Sequence, residues 1–139
     1  MNTANNRLVD AAKSVGAVLA GLVTIFATHI GTDQLMHELK IFPPFSEPMH
    51  DPSLNALALA YRCVFSVLGC YVTARLAPRA PMAHALTLGG IGVLLSGAGY
   101  YATKDMNFGP SWYPLALVAS ALPCAWLGGM LYQPKATVQ

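Results

Sequence analysis

Charge is scarce in this sequence. Asp, Glu, Lys and Arg make up only 10% of the 139 residues, whereas a soluble globular domain carries about a quarter. This shortage excludes an ordinary soluble domain. Lys and Arg also form no cluster with interleaved aromatic residues, so a nucleic-acid partner is excluded. The formal net charge of +2 instead reflects where the few basic residues stand along the chain.

Cysteine is also scarce, and the common catalytic motifs are missing. Cys63, Cys70 and Cys124 lie inside apolar stretches and form no CxxC or Cys/His zinc spacing. We therefore expect them to behave as small apolar residues. There is no Gly-x-Ser-x-Gly sequence, and the glycines of residues 88–92 follow no predicted strand, which excludes a phosphate-binding loop. No catalytic residue is predicted, and the sequence favours a protein that is not an enzyme.

Long apolar stretches are what the sequence has in abundance. Hydrophobic residues make up 55% of the chain, and the mean hydropathy is +0.47. Four stretches are each long enough to cross about 30 Å of hydrocarbon as a helix. We predict an all-α membrane protein, a single-domain bundle of four transmembrane helices at about residues 9–40, 54–76, 82–103 and 112–132. The Pro-rich loop at residues 41–53 is expected to form an ordered lid on the outer face.

The basic residues of the short connections predict the orientation. They lie at the N-terminus, between the second and third spans, and in the tail: Arg7, Lys13, Arg75, Arg79 and Lys135. The first loop is acidic by comparison. Because short loops rich in Lys and Arg stay inside, we predict that both termini are cytoplasmic and that the protein is a multi-pass protein of the inner membrane, with the lipid bilayer as its surroundings.

Small residues recur at helical spacing in two of the spans. Span three carries Ala85, Gly89, Gly92, Ser96, Gly99 and Thr103. Span one carries Ala17, Gly21, Thr24, Thr28 and Gly31. Such seams are typical of tight helix contacts in lipid. On a helical projection, the seam of span one is centred opposite its polar residues. We therefore expect one face of this span to pack on helices and the other to be enclosed, either by the bundle or by another subunit. We also expect the protein to self-associate or to bind a partner membrane subunit.

The polar residues of span one form the main candidate site. His29, Asp33 and His37 recur every fourth residue within residues 28–45. Arg62 is the one fixed charge deep inside span two, where it needs a partner. Asp33 and Arg62 lie at similar depths, about seven and nine residues below the outer ends of their spans. We predict that they pair. Such a pair can dock two helices or belong to a ligand pocket; a snorkelling Arg62 without a partner is the third alternative.

Two functions remain open for this site. The candidate ligand-binding residues are Arg62, Asp33, His29, His37, Ser66 and Asn55. In the first function, an outward-facing polar pocket docks helices or binds a small ligand or a partner subunit. In the second, a small transporter or membrane enzyme uses Asp33 or His37 for proton transfer and Arg62 to hold an anionic group. The apolar side chains below His29 argue against a path across the whole membrane.

A metal site is a further alternative. His29 and His37 are about 12 Å apart along the helix axis, so they cannot share one ion. The weak candidate ligands are Asp33, His37, His50 and Asp51. Their spacing is far less specific than HExxH. No cofactor is predicted, and a metal ion is the further alternative for this site.

Three segments carry a resemblance to known proteins: YRCVFSVLGCYVTARLAP, PMAHALTLGGIG and WYPLALVASALPCAWLGG, at residues 61–78, 81–92 and 112–129. They resemble a group of small bacterial four-span inner-membrane proteins that have no assigned activity. The similarity covers about residues 29–129. It implies the same four-span architecture and brings no cofactor or assigned site. The absence of CxxC excludes the vitamin-K-reductase type of four-helix membrane protein.

Overall fold

The computed structural model describes residues 3–132, and Lys135 of the orientation argument lies outside that range. This part of the chain forms four α-helices and no strand: α1 (Thr3–Glu38), α2 (Pro52–Leu76), α3 (Pro81–Thr103) and α4 (Trp112–Leu131). All four are long and apolar enough to cross a membrane. The prediction of an all-α, four-span membrane protein is confirmed. The cytoplasmic placement of the termini stays a prediction.

The helix starts are explained by local capping. Asp51 precedes α2, and its carboxylate accepts hydrogen bonds from the backbone N–H groups of Ser53 and Leu54. Pro52 and Pro81 occupy first-turn positions, where a missing N–H costs nothing. Helix α2 therefore begins slightly earlier than predicted. Helix α1 has 36 residues, about 54 Å at 1.5 Å per residue, and so is longer than a bilayer requires.

The end of the bundle that carries the Pro-rich loop at residues 41–53 is called its outer end. There α1 closes with a Schellman motif built without glycine. The backbone N–H of Ile41 donates to the Met36 carbonyl at 3.0 Å, and that of Lys40 donates to the His37 carbonyl at 3.0 Å. Lys40 has a φ of 56°, in the left-handed region where a Cβ is strained. The chain thus makes a sharp, strained turn from the helix into the Pro-rich loop.

Replacing Lys40 with glycine is expected to stabilise the fold by about 0.5–1 kcal/mol. The change relieves about 1–2 kcal/mol of left-handed strain, and the extra freedom of glycine in the unfolded chain offsets about half of it. Thermal unfolding of the purified protein in detergent measures the gain. Lys40→Ala is the control, because it keeps the Cβ and is expected to bring no gain. Equal behaviour of the two variants contradicts the strain argument.

Helix α2 lies at the centre of the bundle. It packs on α1, α3 and α4, whereas α1 touches α3 only weakly and makes no contact with α4 within residues 3–132. The buried core consists mostly of small side chains: Cys70, Ala74, Ala85, Leu88 and Ala125. In lipid, helices associate through such close packing rather than through the hydrophobic effect.

The inner half of the α1 seam forms a close helix contact with α2. A Cβ added to Gly21 would lie 2.5 Å from the Gly69 carbonyl oxygen, and one added to Gly69 would lie 2.8 Å from the Gly21 carbonyl oxygen. The Thr73 hydroxyl donates to the Ala17 carbonyl at 3.1 Å. The prediction of tight packing at this half of the seam is confirmed.

The polar face of α1 is enclosed within the bundle, which is one of the predicted alternatives, but it lies against the same helix as the seam rather than against a different neighbour. Helix α1 contacts α2 at every fourth residue, through Ala17, Gly21, Ile25, His29 and Asp33. Spacing by fours follows the i±4n ridge, which is inclined by about 26° to the helix axis and so passes from one face of the helix to another. The α1 residues that contact α2 therefore belong to the seam near the inner end of the helix and to the polar residues near its outer end.

The outer half of the α1 seam has a different role from the one predicted. The Thr24 and Thr28 hydroxyls donate to carbonyls of their own helix at 2.8 and 2.7 Å, and a Cβ on Gly31 would meet nothing within 4 Å. Within the described chain, Gly31 thus has open space where a tight helix contact was predicted, and self-association of the protein stays a prediction.

The seam of α3 also divides into two halves. A Cβ on Gly89 would lie 2.5 Å from the Ala125 Cβ, and one on Gly92 would lie 3.5 Å from the Ala121 Cβ. This inner half packs on α4 as predicted. Towards the outer end, a Cβ on Gly99 would meet nothing within 4 Å. There the helices separate, and the small residues of α3 line a cavity.

Candidate functional site

Asp33 and Arg62 form an ion pair between α1 and α2. The Arg62 Nη2 donates to the Asp33 Oδ2, so the predicted pair is confirmed. The two side chains are 24% and 26% exposed, which places the pair at the margin of the packed core. Each charge has its counter-charge, as a membrane-embedded charge requires. Whether the pair also serves a ligand depends on what surrounds it.

Tyr61 completes the coordination of Asp33 and was missed by sequence reasoning. Its hydroxyl donates to the Asp33 Oδ1, so the carboxylate accepts one hydrogen bond on each oxygen. Consecutive helix residues point about 100° apart, and both Tyr61 and Arg62 can reach a carboxylate on the neighbouring helix. Adjacency to Arg62 was the only available signal. The two donors fix the carboxylate, which in turn fixes the guanidinium.

His29 binds the backbone of α2 one turn further in. Its Nε2 lies 3.1 Å from the Arg62 carbonyl oxygen. A carbonyl can only accept, so Nε2 donates and Nδ1 is left as the acceptor of a neutral ring. The His29 ring also lies 6.4 Å from the Phe65 ring. His29 and Asp33 thus both attach α1 to α2 around the same residue, Arg62.

His37 fastens the Pro-rich loop rather than joining Asp33. Its Nδ1 donates to the Pro43 carbonyl at 2.7 Å, and its ring centroid lies 3.6 Å from that of Phe45. Phe42 is buried and its ring lies 6.5 Å from that of Tyr61. The loop therefore folds down onto the polar cluster, and His37 supports the predicted lid.

Asn55 also holds the outer loops together. It is buried, and its Nδ2 donates to the Met49 and Asp51 carbonyls at 2.9 and 2.8 Å. The Met49 N–H donates in turn to the Phe108 carbonyl at 2.8 Å. Asn55 lines a smaller outer cavity of about 260 Å³, separate from the one that Arg62 lines. The structure thus does not bring Asn55 to the Arg62 cluster.

Three of the four candidate metal ligands have other partners. Asp33 accepts from Tyr61 and Arg62, and Asp51 caps α2. His37, His50 and Asp51 line an open depression of about 830 Å³ beneath the Pro-rich loop. Within residues 3–132, no group of three or more His, Cys, Asp or Glu side chains is close enough to hold an ion. Metal binding stays a prediction.

A cavity of about 360 Å³ lies beside Arg62 in the outer half of the bundle, and all four helices contribute to it. Arg62, His29 and Ser66 form its polar wall. Its apolar wall includes Leu22, Ile25, Leu88 and Leu117, and the outer half of the α3 seam supplies Ser96, Gly99 and Thr103. Phe26 of α1 and Leu95 of α3 also line it and are 47% and 49% exposed. The cavity therefore has an opening between α1 and α3.

The arrangement suits binding better than proton transfer. Asp33 does not line the cavity, and both its oxygens already accept hydrogen bonds. Arg62 does line the cavity, and it pairs there with the Asp33 carboxylate, which lies outside the cavity. A ligand in the cavity therefore meets Arg62 on one wall and mostly apolar or small side chains elsewhere, as is typical of small-molecule sites.

The fold and this cavity define the class of protein: a small four-span helical membrane protein with a half-enclosed pocket in the outer half of its bundle. No protein-family model, curated protein or solved structure matches the chain. The function is therefore argued from the geometry of the site.

Proposed function

We propose that this protein binds a small ligand within the membrane, in the cavity beside Arg62, and that it acts as a binding protein rather than as an enzyme. The observation that carries the proposal is that Arg62 lines a cavity of about 360 Å³ while Asp33 pairs with it from outside the cavity. Ligand pockets have volumes of about 300–1,000 Å³ and combine apolar walls with a few fixed polar groups. The cavity meets both conditions.

The geometry of the ion pair supports a role beyond helix docking. Asp33 contacts Arg62 through a single nitrogen, Nη2, and the buried Arg62 Nε has no hydrogen-bond partner among the described residues. A pair that only docks helices is strongest as a two-nitrogen fork. Here Tyr61 takes the second carboxylate oxygen instead. The guanidinium is therefore held in place without its whole hydrogen-bonding capacity being used.

The alternative of a proton-transferring transporter or enzyme has less support. His37, one of its two proposed proton acceptors, is bonded to the Pro43 carbonyl of the loop. Thr73, which could have continued a polar path inwards, is fully buried and donates to Ala17. Leu22 and Leu88 line the cavity from the packed inner half of the bundle. These residues favour a closed pocket over a path.

The orientation and location of the pocket are part of the proposal. We propose that both termini face the cytoplasm of a bacterial cell, that the protein resides in the inner membrane, and that the pocket lies in the outer leaflet. The basic residues around α1 and between α2 and α3 support this placement: Arg7, Lys13, Arg75 and Arg79. The outer loops, which are joined by hydrogen bonds through Met49, then cover the pocket from the aqueous side.

Binding is tested by filling the cavity from a position that has room for a side chain. Gly99 lines the cavity, and a Cβ there meets nothing within 4 Å. We expect Gly99→Phe to weaken binding at least about tenfold, or about 1.4 kcal/mol. Gly97→Phe is the matched control, because Gly97 is equally unobstructed and does not line the cavity. It is expected to bind as the unaltered protein does.

The probes are radiolabelled methyl decanoate, decanoate and dodecane, each with about twelve non-hydrogen atoms, to match the volume of the cavity. Retention by nanodiscs that contain the protein is compared with retention by empty nanodiscs. Saturable retention of at least one probe, at one site per chain, supports the proposal. It fails if no probe is retained saturably, or if the two glycine variants lose binding equally.

A further inference from the structure

We infer that the ligand of this cavity is a neutral, lipid-soluble molecule whose polar end is a carbonyl oxygen, such as an ester or a ketone. This inference rests on the proposed binding function and specifies the chemical class of the ligand. It follows from the charge of the site, the hydrogen-bonding groups of its wall, and the position of its opening.

Charge is the first criterion. Arg62 is the only fully charged residue among the described residues that line the cavity, and its counter-charge Asp33 lies outside it. The pair is neutral as a whole, and of its two residues only the cationic one lines the cavity. An anionic ligand would add a second negative charge to this apolar site, and the desolvation of that charge is costly. A cationic ligand would be repelled by Arg62. The site therefore selects a neutral molecule.

Hydrogen bonding is the second criterion. The Arg62 guanidinium only donates, and no carboxylate is among the described residues of the wall. A ligand group beside Arg62 must therefore supply an acceptor. A carbonyl oxygen does so without adding a charge.

The shape of the cavity is the third criterion. A volume of about 360 Å³ corresponds to about twelve water-sized groups of about 30 Å³ each. Leu22, Ile25 and Leu88 surround this space on the inner side. The opening between Phe26 and Leu95 lies on membrane-spanning helices. A longer apolar tail can therefore extend into the bilayer through it while the carbonyl end stays beside Arg62.

The three probes distinguish this class from the others. We expect methyl decanoate to bind about tenfold more tightly than either dodecane or decanoate, with decanoate tested at a pH where it is ionised. Equal binding of dodecane and the ester would show that the cavity recognises apolar shape alone, and tightest binding of decanoate would show an anion site. Either result overturns this inference and leaves the binding function intact, whereas the absence of saturable binding overturns both.

A second measurement follows the carbonyl itself. Ester labelled at the carbonyl carbon is expected to show a lowered infrared carbonyl stretch when bound, because the oxygen accepts a hydrogen bond from Arg62. In the double variant D33L/R62L the shift is expected to disappear, and ester and alkane are expected to bind alike. An unshifted carbonyl band in the unaltered protein contradicts the inference without reference to any variant.

Discussion

Replacing Arg62 with leucine is expected to lower the free energy of unfolding by about 2–4 kcal/mol. The change leaves the Asp33 carboxylate between α1 and α2 with Tyr61 as its remaining partner. Breaking one half of a fully buried pair costs about 3–5 kcal/mol, and the partial exposure of this pair, 24% and 26%, reduces the effect. Unfolding of the purified protein in detergent, followed by tryptophan fluorescence, measures the loss.

The double variant D33L/R62L is expected to recover most of that stability, because replacing both charges with apolar groups removes the uncompensated carboxylate. Arg79→Leu is the matched control. Arg79 pairs with Asp10 near the inner ends of the bundle, and its side chain is 80% exposed, so its loss is expected to cost less than about 1 kcal/mol. If Arg62→Leu is no more costly than Arg79→Leu, the pair does not hold the helices together.

The double variant D33L/R62L is expected to affect the stability of the fold and the selectivity of binding differently. The double variant is expected to keep the fold and to lose the preference for a carbonyl. A pair that only docks helices would give the same recovery of stability with no change in the selectivity among the probes. The two measurements together therefore distinguish the structural and ligand-binding alternatives for Asp33 and Arg62.

Gly21→Ala is expected to destabilise the protein by about 2–3 kcal/mol or more. Its Cβ would lie 2.5 Å from the Gly69 carbonyl oxygen, which belongs to a helix backbone, and 1.9 Å from the Thr73 Oγ1. Backbone cannot move aside as a flexible side chain can, so α1 and α2 must separate. The separation would also break the hydrogen bond from Thr73 to Ala17. The same unfolding measurement detects the change.

The controls for Gly21 lie on the same helix. A Cβ on Gly16 or Gly31 meets nothing within 4 Å. Gly16→Ala and Gly31→Ala are therefore expected to be neutral, or to stabilise the helix by up to about 1 kcal/mol, because alanine loses less backbone freedom than glycine. A Gly21→Ala variant as stable as these two would show that α1 and α2 do not pack as closely as described.

The sequence predicted well the features that every chain must have in order to be stable in a lipid bilayer. Four apolar stretches had to become helices, because backbone polar groups in hydrocarbon must be satisfied within a helix. A charge such as Arg62 had to find a partner, and depth along the helices identified Asp33. Both predictions used only the length of each span and the cost of an unpaired charge.

The features that it did not predict depend on how two helices cross. Residue spacing defines the faces of one helix, and it does not fix the angle at which a neighbour lies across it. The sequence therefore suggested separate faces for Gly21 and Asp33, whereas the structure places both against α2. The role of Tyr61 and the cavity beside Gly99 likewise follow from where helices meet and separate.

The gap between Phe26 and Leu95 changes how affinity for this protein has to be expressed. A ligand that enters there has already left water, so the bilayer concentrates it before it meets the protein. Occupancy then follows the mole fraction of the ligand among the lipids, and diluting the sample in buffer at a fixed lipid composition leaves the bound fraction nearly unchanged. The rate at which such a ligand reaches the cavity then depends on its two-dimensional diffusion within one leaflet.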